Sequence, residues 1–280
     1  MVSIFEAVIL GIVQGLTEFL PISSTAHLWV IPALLHWDDP GAAFSAVIQI
    51  GTVVAVLFYF RKDLWEIATA LLRGLRDRKP FADPHARLGW YIGAGTVPIV
   101  IFGLAFEDVI KTSLRSPWVI AGALVAVGLV MAVADRMAAS RRKQGGDERV
   151  TLADAVVVGL AQACALIPGV SRSGSTLAAG LFRGLSRAEA ARFSFLLSVP
   201  AITAAGLKEL VELVMDGNLA GAGAASLVVG TVVSFAVGYA AIAGLLAFLR
   251  TRTVTVFVVY RVALGVVLAT MAYAGYFGAA

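Results

Sequence analysis

Long apolar runs separated by short polar stretches dominate the chain. Six of them, 42–60, 89–106, 119–134, 193–207, 222–249 and 254–276, hold few or no charges. A helix needs about 20 mostly apolar residues to cross the hydrocarbon of a bilayer, so each run predicts a transmembrane helix. Two other apolar stretches break at a proline followed by serines: Pro21-Ile22-Ser23-Ser24-Thr25 and Pro168-Gly169-Val170-Ser171-Arg172. Proline ends or kinks a helix, and a following Ser or Thr can cap the next one. Irregular backbone survives at membrane depth only where protein or a water-filled cavity satisfies its polar groups. Segments 1–35 and 151–187 are therefore expected to form re-entrant helical hairpins, each entering and leaving on one side.

The two halves echo each other. Glu6-Ala7-Val8 is matched by Asp154-Ala155-Val156, Gly11 by Gly159 and Gln14 by Gln162. With one residue dropped, Pro21 aligns with Pro168 and Ser24 with Ser171; Phe44-Ser45 then echoes Phe193-Ser194, and Gly95-Thr96-Val97 echoes Gly230-Thr231-Val232. This order predicts two repeats in one membrane domain, about 1–140 and 151–280, joined by a polar linker at about 136–150. Three spans per repeat is an odd number, so the second repeat is inverted. The expected fold is an all-α polytopic membrane protein with six transmembrane helices and two re-entrant hairpins whose tips meet mid-membrane, a geometry known from transporters.

Charge agrees with this layout. Segment 61–87 carries seven basic residues, and Arg136, Arg141, Arg142, Lys143 and Arg149 follow in the linker. Arg183, Arg187, Arg192, Arg250 and Arg252 fall on the same predicted side. The opposite segments are poor in basic residues: 1–41 and 215–222 have none, and 107–116 has Lys111 and Arg115. Positive loops stay in the cytoplasm, so the first hairpin opens to the outside. A mean hydropathy of +0.88 with 14% charged residues excludes an ordinary soluble domain. The net charge of +4 sits in short loops beside anionic headgroups, and no nucleic-acid partner is expected. The first basic residue is Arg61, so no cleaved signal peptide is expected. The lone Cys164 excludes an internal disulfide and reads as a small buried apolar residue. Arg183, Arg187 and Arg192 read as interfacial anchors, Glu107–Asp108 as a solvated loop edge, and Lys208, Glu209 and Glu212 as the outer end of a span.

An ionisable group within a span costs about 2.5–3.5 kcal/mol on insertion scales and calls for a partner or a role. Gln14 and Glu18 lie four apart, on one helix face. They suit a cation or an activated water, or else a pair that fixes the hairpin. His27 follows Ser23 and Ser24 within a helical turn, as a general acid–base, a nucleophile or a structural histidine. Arg172 sits in Pro168-Gly169-Val170-Ser171-Arg172-Ser173-Gly174-Ser175-Thr176. There glycines admit an anion close to the backbone, hydroxyls donate to phosphate oxygens, and a helix N-terminus with a guanidinium fork completes an anion site.

The run Gln14-Gly15-Leu16-Thr17-Glu18-Phe19-Leu20-Pro21-Ile22-Ser23-Ser24-Thr25-Ala26-His27, with Pro168-Gly169-Val170-Ser171-Arg172-Ser173-Gly174, closely resembles the undecaprenyl pyrophosphate phosphatase family of the bacitracin-resistance type. The resemblance covers essentially the whole chain. It implies hydrolysis of the C55 lipid pyrophosphate to its monophosphate, for reuse as a carrier of cell-wall polymers, at the bacterial inner membrane. It also implies a divalent cation, Mg²⁺ or Ca²⁺, with Gln14 and Glu18 as its ligands. Gln14 stands at an (E/Q) position and, as a neutral amide, leaves more of that task to Glu18. The site expected from both readings has Glu18, Ser24, His27 and Arg172 in catalysis, with Ser23, Thr25, Gly169, Ser171, Ser173, Gly174 and Thr176 around the phosphates. The nucleophile stays open between Ser24, His27 and water, Ser24 assisted by His27 being preferred. The partners implied are the polyprenyl pyrophosphate and membrane lipids; a homodimer is compatible with the sequence and not required by it. A transporter or flippase for such a lipid fits the inverted repeats but not the need for Glu18 and His27. A structural scaffold leaves the buried ionisable groups unexplained.

Overall fold

A computed structural model describes residues 2–38, 40–111, 114, 116–141, 150–215 and 223–277, and every regular element among them is helical. In chain order these are α1 (Ile4–Phe19), α2 (Ser24–Leu34), α3 (Gly41–Tyr59), α4 (Arg61–Arg76), α5 (Pro84–Ala105), α6 (Glu107–Lys111), α7 (Pro117–Arg141), α8 (Leu152–Cys164), α9 (Arg172–Phe182), α10 (Arg187–Met215), α11 (Ala224–Thr251) and α12 (Thr255–Tyr273). Five of them, α5, α7, α10, α11 and α12, are long and apolar enough to cross a membrane, and α3 with α4 makes a sixth if that bent pair is one span. These coincide with the six apolar runs. The chain is a multi-pass membrane protein.

Helix α4 occupies what the sequence reading left as a basic loop. The chain turns by 70° after Tyr59, and α4 then packs Ile67 and Leu71 around Gly89 of α5. Its apolar positions recur at helical spacing among Arg61, Lys62, Arg73 and Arg76, the pattern of a helix lying along the membrane surface.

The two proline breaks separate α1 from α2 and α8 from α9. With 16 and 13 residues, α1 and α8 are about 24 and about 20 Å long at 1.5 Å per residue, short of a hydrocarbon core of about 30 Å. Their local geometry corresponds position by position. Ser3 and Glu6 form a capping box on α1, and Thr151 and Asp154 form one on α8. Ser23 and Ser171 take positive φ angles of 76° and 69° just before α2 and α9, which are both 11 residues long. All these pairs are separated by 148 positions. The backbone therefore matches Ser171 to Ser23 rather than Ser24, and the dropped residue is unnecessary.

Each of the short helices α1 and α8 is seated against a long helix from elsewhere in the chain. A Cβ on Gly11 of α1 would lie 2.6 Å from the Gly230 carbonyl oxygen of α11, and one on Gly159 of α8 would lie 2.2 Å from that of Gly95 in α5. Only glycine permits such backbone approach, the small-residue packing typical of membrane helices. Helix α9 is the most enclosed element, with every side chain from Ser173 to Leu181 buried among α7, α8 and α10.

Several polar residues are more tightly held than the sequence suggested. Arg183 pairs with Asp154 at 2.6 Å, Arg187 with Asp135 at 2.5 Å, and Arg192 with Asp63. These three pairs brace neighbouring helices. Glu107 opens the short helix α6 and pairs with Lys208 at 2.5 Å, so it is not a free loop edge. Cys164 is exposed, not buried; it lines a shallow apolar groove with Phe102, Phe106 and Ile167. Linker residues Arg142, Lys143 and Arg149, as well as Arg115 and segment 216–222, lie outside the described residues.

Candidate active site

The site grows from the two proline breaks. Helix α1 ends at Phe19, which places Glu18 in its last turn, 9% exposed. Ser24 begins α2 and Arg172 begins α9. Arg172, Ser24 and Gln14 converge on the Glu18 carboxylate. Arg172 Nη2 donates to Glu18 Oε1, while Ser24 Oγ donates to Oε2 at 2.8 Å and Gln14 Nε2 donates to Oε2 at 3.2 Å. Gln14 also reaches Thr52 Oγ1 of α3 at 3.4 Å. Ser24 and Arg172 open α2 and α9, and the first turn of a helix carries N–H groups that lack intrahelical partners and favour an anion.

The tips are sewn to each other. Ser173 Oγ donates to the Leu20 carbonyl of the first break at 3.0 Å and lies 3.2 Å from Ser171 Oγ, which accepts from the Gly174 amide at 3.2 Å. Gly169 takes φ +91° with the Ile120 carbonyl 2.6 Å from where a Cβ would stand, so no other residue fits that turn. Thr176 faces away from the shared point: its hydroxyl donates to the Arg172 carbonyl at 2.6 Å and meets Ser194 Oγ of α10 at 2.5 Å. Thr25 is exposed, and Ser23 is buried. The His27 ring does not reach Ser24: Nδ1 lies 2.7 Å from the Ser23 carbonyl oxygen and Nε2 lies 2.6 Å from Tyr260 Oη.

The residue that ties the breaks together is Arg261 of α12, 0% exposed. Its guanidinium donates to the carbonyls of Pro21 in one break and Gly169 and Val170 in the other, at 3.2, 2.9 and 3.0 Å, and to Leu124 and Ala123 of α7 at 3.2 and 3.3 Å. A buried carbonyl freed by a helix break needs a donor, and Arg261 supplies one to both breaks. A buried carboxylate and amide thus meet a partly exposed hydroxyl and guanidinium where two serine-containing turns come together. Residues 7–267 match the family described as "Bacitracin resistance protein BacA".

The chain belongs to this family.

Curated relatives similar to it along nearly their whole length carry the name undecaprenyl-diphosphatase. One from Myxococcus xanthus is 53% identical over 273 residues, covering 98% of this chain and 90% of the relative. Others, from a Nocardioides species and from Chloroherpeton thalassium, are 52% and 49% identical, with 95% and 96% of both chains covered. Within this BacA-family chain, sequence reading passed over Arg261, Tyr260, Thr52 and Ser194. Arg261 had a signal, as the lone charge of the apolar run 254–276. Nothing in the sequence pointed to Thr52.

Proposed function

We infer that this protein removes the terminal phosphate of undecaprenyl diphosphate, releasing undecaprenyl phosphate for further rounds of envelope polymer synthesis. The observation that carries this reading is the Glu18 carboxylate, held at once by Arg172 of one helix pair and Ser24 of the other. In this mechanism the pyrophosphate enters between the tips and takes the Arg172 fork away from Glu18. The guanidinium and the N–H groups opening α2 and α9 stabilise charge on the transferring phosphoryl group. Ser24 Oγ attacks the terminal phosphorus and its proton passes to Glu18. The bond from phosphorus to the bridging oxygen breaks, and the lipid monophosphate leaves. Water then releases inorganic phosphate from Ser24.

A divalent cation fits the donors present. Among the described residues no three His, Cys, Asp or Glu side chains cluster for a metal; Glu18, and Gln14 once its amide turns to bring the oxygen rather than Nε2 toward that carboxylate, would supply part of a hard-oxygen set. Mg²⁺ is commonly held by one or two carboxylates together with substrate phosphates, so Glu18 and Gln14 would hold it only alongside the pyrophosphate. When bound, it would neutralise charge on the phosphate oxygens.

The reading includes a topology. Helices α1–α2 and α8–α9 are re-entrant hairpins of two inverted repeats, and the site opens to the periplasm or cell exterior. Asp154 at the start of α8 pairs with Arg183 at the end of α9, which supports entry and exit on one side. Phe5 of α1 packs on Trp37 just beyond α2 with ring centroids 6.3 Å apart, which supports the same for the first pair. The matching seats of Gly11 on Gly230 and Gly159 on Gly95 support the internal repeat.

The test is phosphate release from undecaprenyl diphosphate by purified protein in detergent micelles, where transport has no meaning. Release is expected, to be lost with chelator and restored by Mg²⁺ or Ca²⁺. A protein that bound the lipid without ever cleaving it would overturn the reading. Trapping with labelled substrate separates the nucleophiles: an acid-stable phosphoserine is expected, whereas an acid-labile phosphohistidine, or no label, would exclude Ser24.

A further inference from the structure

His27 has both ring nitrogens engaged, and their partners differ in kind. Nδ1 faces the Ser23 carbonyl oxygen at 2.7 Å. A carbonyl only accepts, so Nδ1 carries a hydrogen whether the ring is neutral or charged. Nε2 faces Tyr260 Oη at 2.6 Å, and a phenol both donates and accepts. Nε2 is therefore the nitrogen whose proton can come and go. The Tyr260 hydroxyl donates to it when bare and accepts from it when protonated. The two rings are nearly parallel, 8° apart with centroids separated by 5.6 Å, so the tyrosine ring packs beside the imidazole as well as bonding to it.

The placement is also specific. His27 is 6% exposed, whereas its partner Tyr260 is 44% exposed, so the bond joins an enclosed imidazole to a residue at the surface of the protein. Tyr260 precedes Arg261 on α12, and Arg261 clamps both tips. One helical turn thus fixes the tips and the histidine together.

We propose that Tyr260 is a positioning residue that holds His27 with Nδ1 protonated and Nε2 as its proton-handling nitrogen. This rests on the phosphatase reading only for its consequence in turnover. There Nε2 exchanges a proton with the leaving phosphate or the attacking water through the Tyr260 hydroxyl, which also keeps the ring aimed. No net proton is gained: the one Nε2 gives up in one half-reaction it recovers in the other.

The experiment uses the full chain in detergent, labelled with ¹⁵N-histidine. The protein has three histidines, so His36→Asn and His85→Gln isolate the signals of His27. The wild-type residue is expected to show a protonated Nδ1. A resting state with the proton on Nε2 and a bare Nδ1 would overturn the proposal, and this needs neither a Tyr260 variant nor turnover. Tyr260→Phe keeps the ring and removes the hydroxyl. It is expected to shift the Nε2 signal and to lower kcat about 10- to 100-fold, within the range of general acid–base effects, with KM changed less than about threefold. An unshifted Nε2 signal, or an unchanged kcat in Tyr260→Phe, would exclude the role. Wild-type protein with the expected tautomer but no phosphate release would refute the phosphatase reading and leave the assignment of the nitrogens standing.

Discussion

At the scale of single residues, two arginines carry different loads. Arg261 donates to five main-chain carbonyls and is 0% exposed. Leaving a buried acceptor unpaired costs about 1–3 kcal/mol, so losing several together rivals the whole stability of a domain, about 5–15 kcal/mol. Arg261→Met should yield protein that melts far below wild type or fails to accumulate, as measured by thermal unfolding in detergent. Arg172, by contrast, has one charged partner, and its side chain is 19% exposed. Arg172→Lys keeps the charge beside Glu18 but not the planar fork. It should melt within a few degrees of wild type and lose about 100-fold or more in kcat, the scale of removing one transition-state donor. Similar losses of stability in both variants would contradict this division. Glu18→Gln leaves one acceptor oxygen but removes the charge and the proton acceptor of the carboxylate shared by Arg172 and Ser24, and phosphate release should fall by about 10²–10⁴.

Between elements, the close seats of α1 and α8 leave no room for a side chain. A Cβ on Gly159 would meet the Gly95 carbonyl at 2.2 Å, a backbone atom that cannot rotate away. Gly159→Val should destabilise by about 1–3 kcal/mol, as overpacking does, read as a lowered melting temperature. Gly244→Val should not, since nothing lies within 4 Å of its Cβ position. These contacts also mark where sequence reading succeeds and stops. The six long helices were legible because lipid demands an unbroken apolar run. Both breaks were legible because Pro21 and Pro168 interrupt such runs. Helix α4 was not, since a surface helix mixes Trp65 and Leu72 with Arg73 and Arg76 and so imitates a charged loop. Convergence of Gln14, Glu18, Ser24 and Arg172 was foreseeable from motif and repeat. The bond from His27 to Tyr260 joins residues 233 positions apart, and no periodicity records such a partner. Ser23 and Ser171 were misaligned by one because letters, not φ angles, guided the match.

For the whole molecule, the ion pairs sort the helix ends. Asp63, Asp135 and Asp154 meet Arg192, Arg187 and Arg183, gathering the junction of α3 with α4, the end of α7, both ends of the α8–α9 pair and the start of α10. Lys208 and Glu107 join the far ends of α10 and α5. With basic loops cytoplasmic, a cysteine replacing Asp38 should react with impermeant reagent added outside intact cells, and one replacing Arg78 only after lysis. The reverse result would turn the site toward the cytoplasm. The clamp at Arg261 has a consequence for how the chain must be made. Its donor comes from the last helix, while three of its five acceptors, Pro21, Ala123 and Leu124, belong to residues before 142. Neither fragment made alone carries a complete set of partners, so 1–141 and 150–280 should each be degraded when expressed singly and should rescue one another when produced in the same cell.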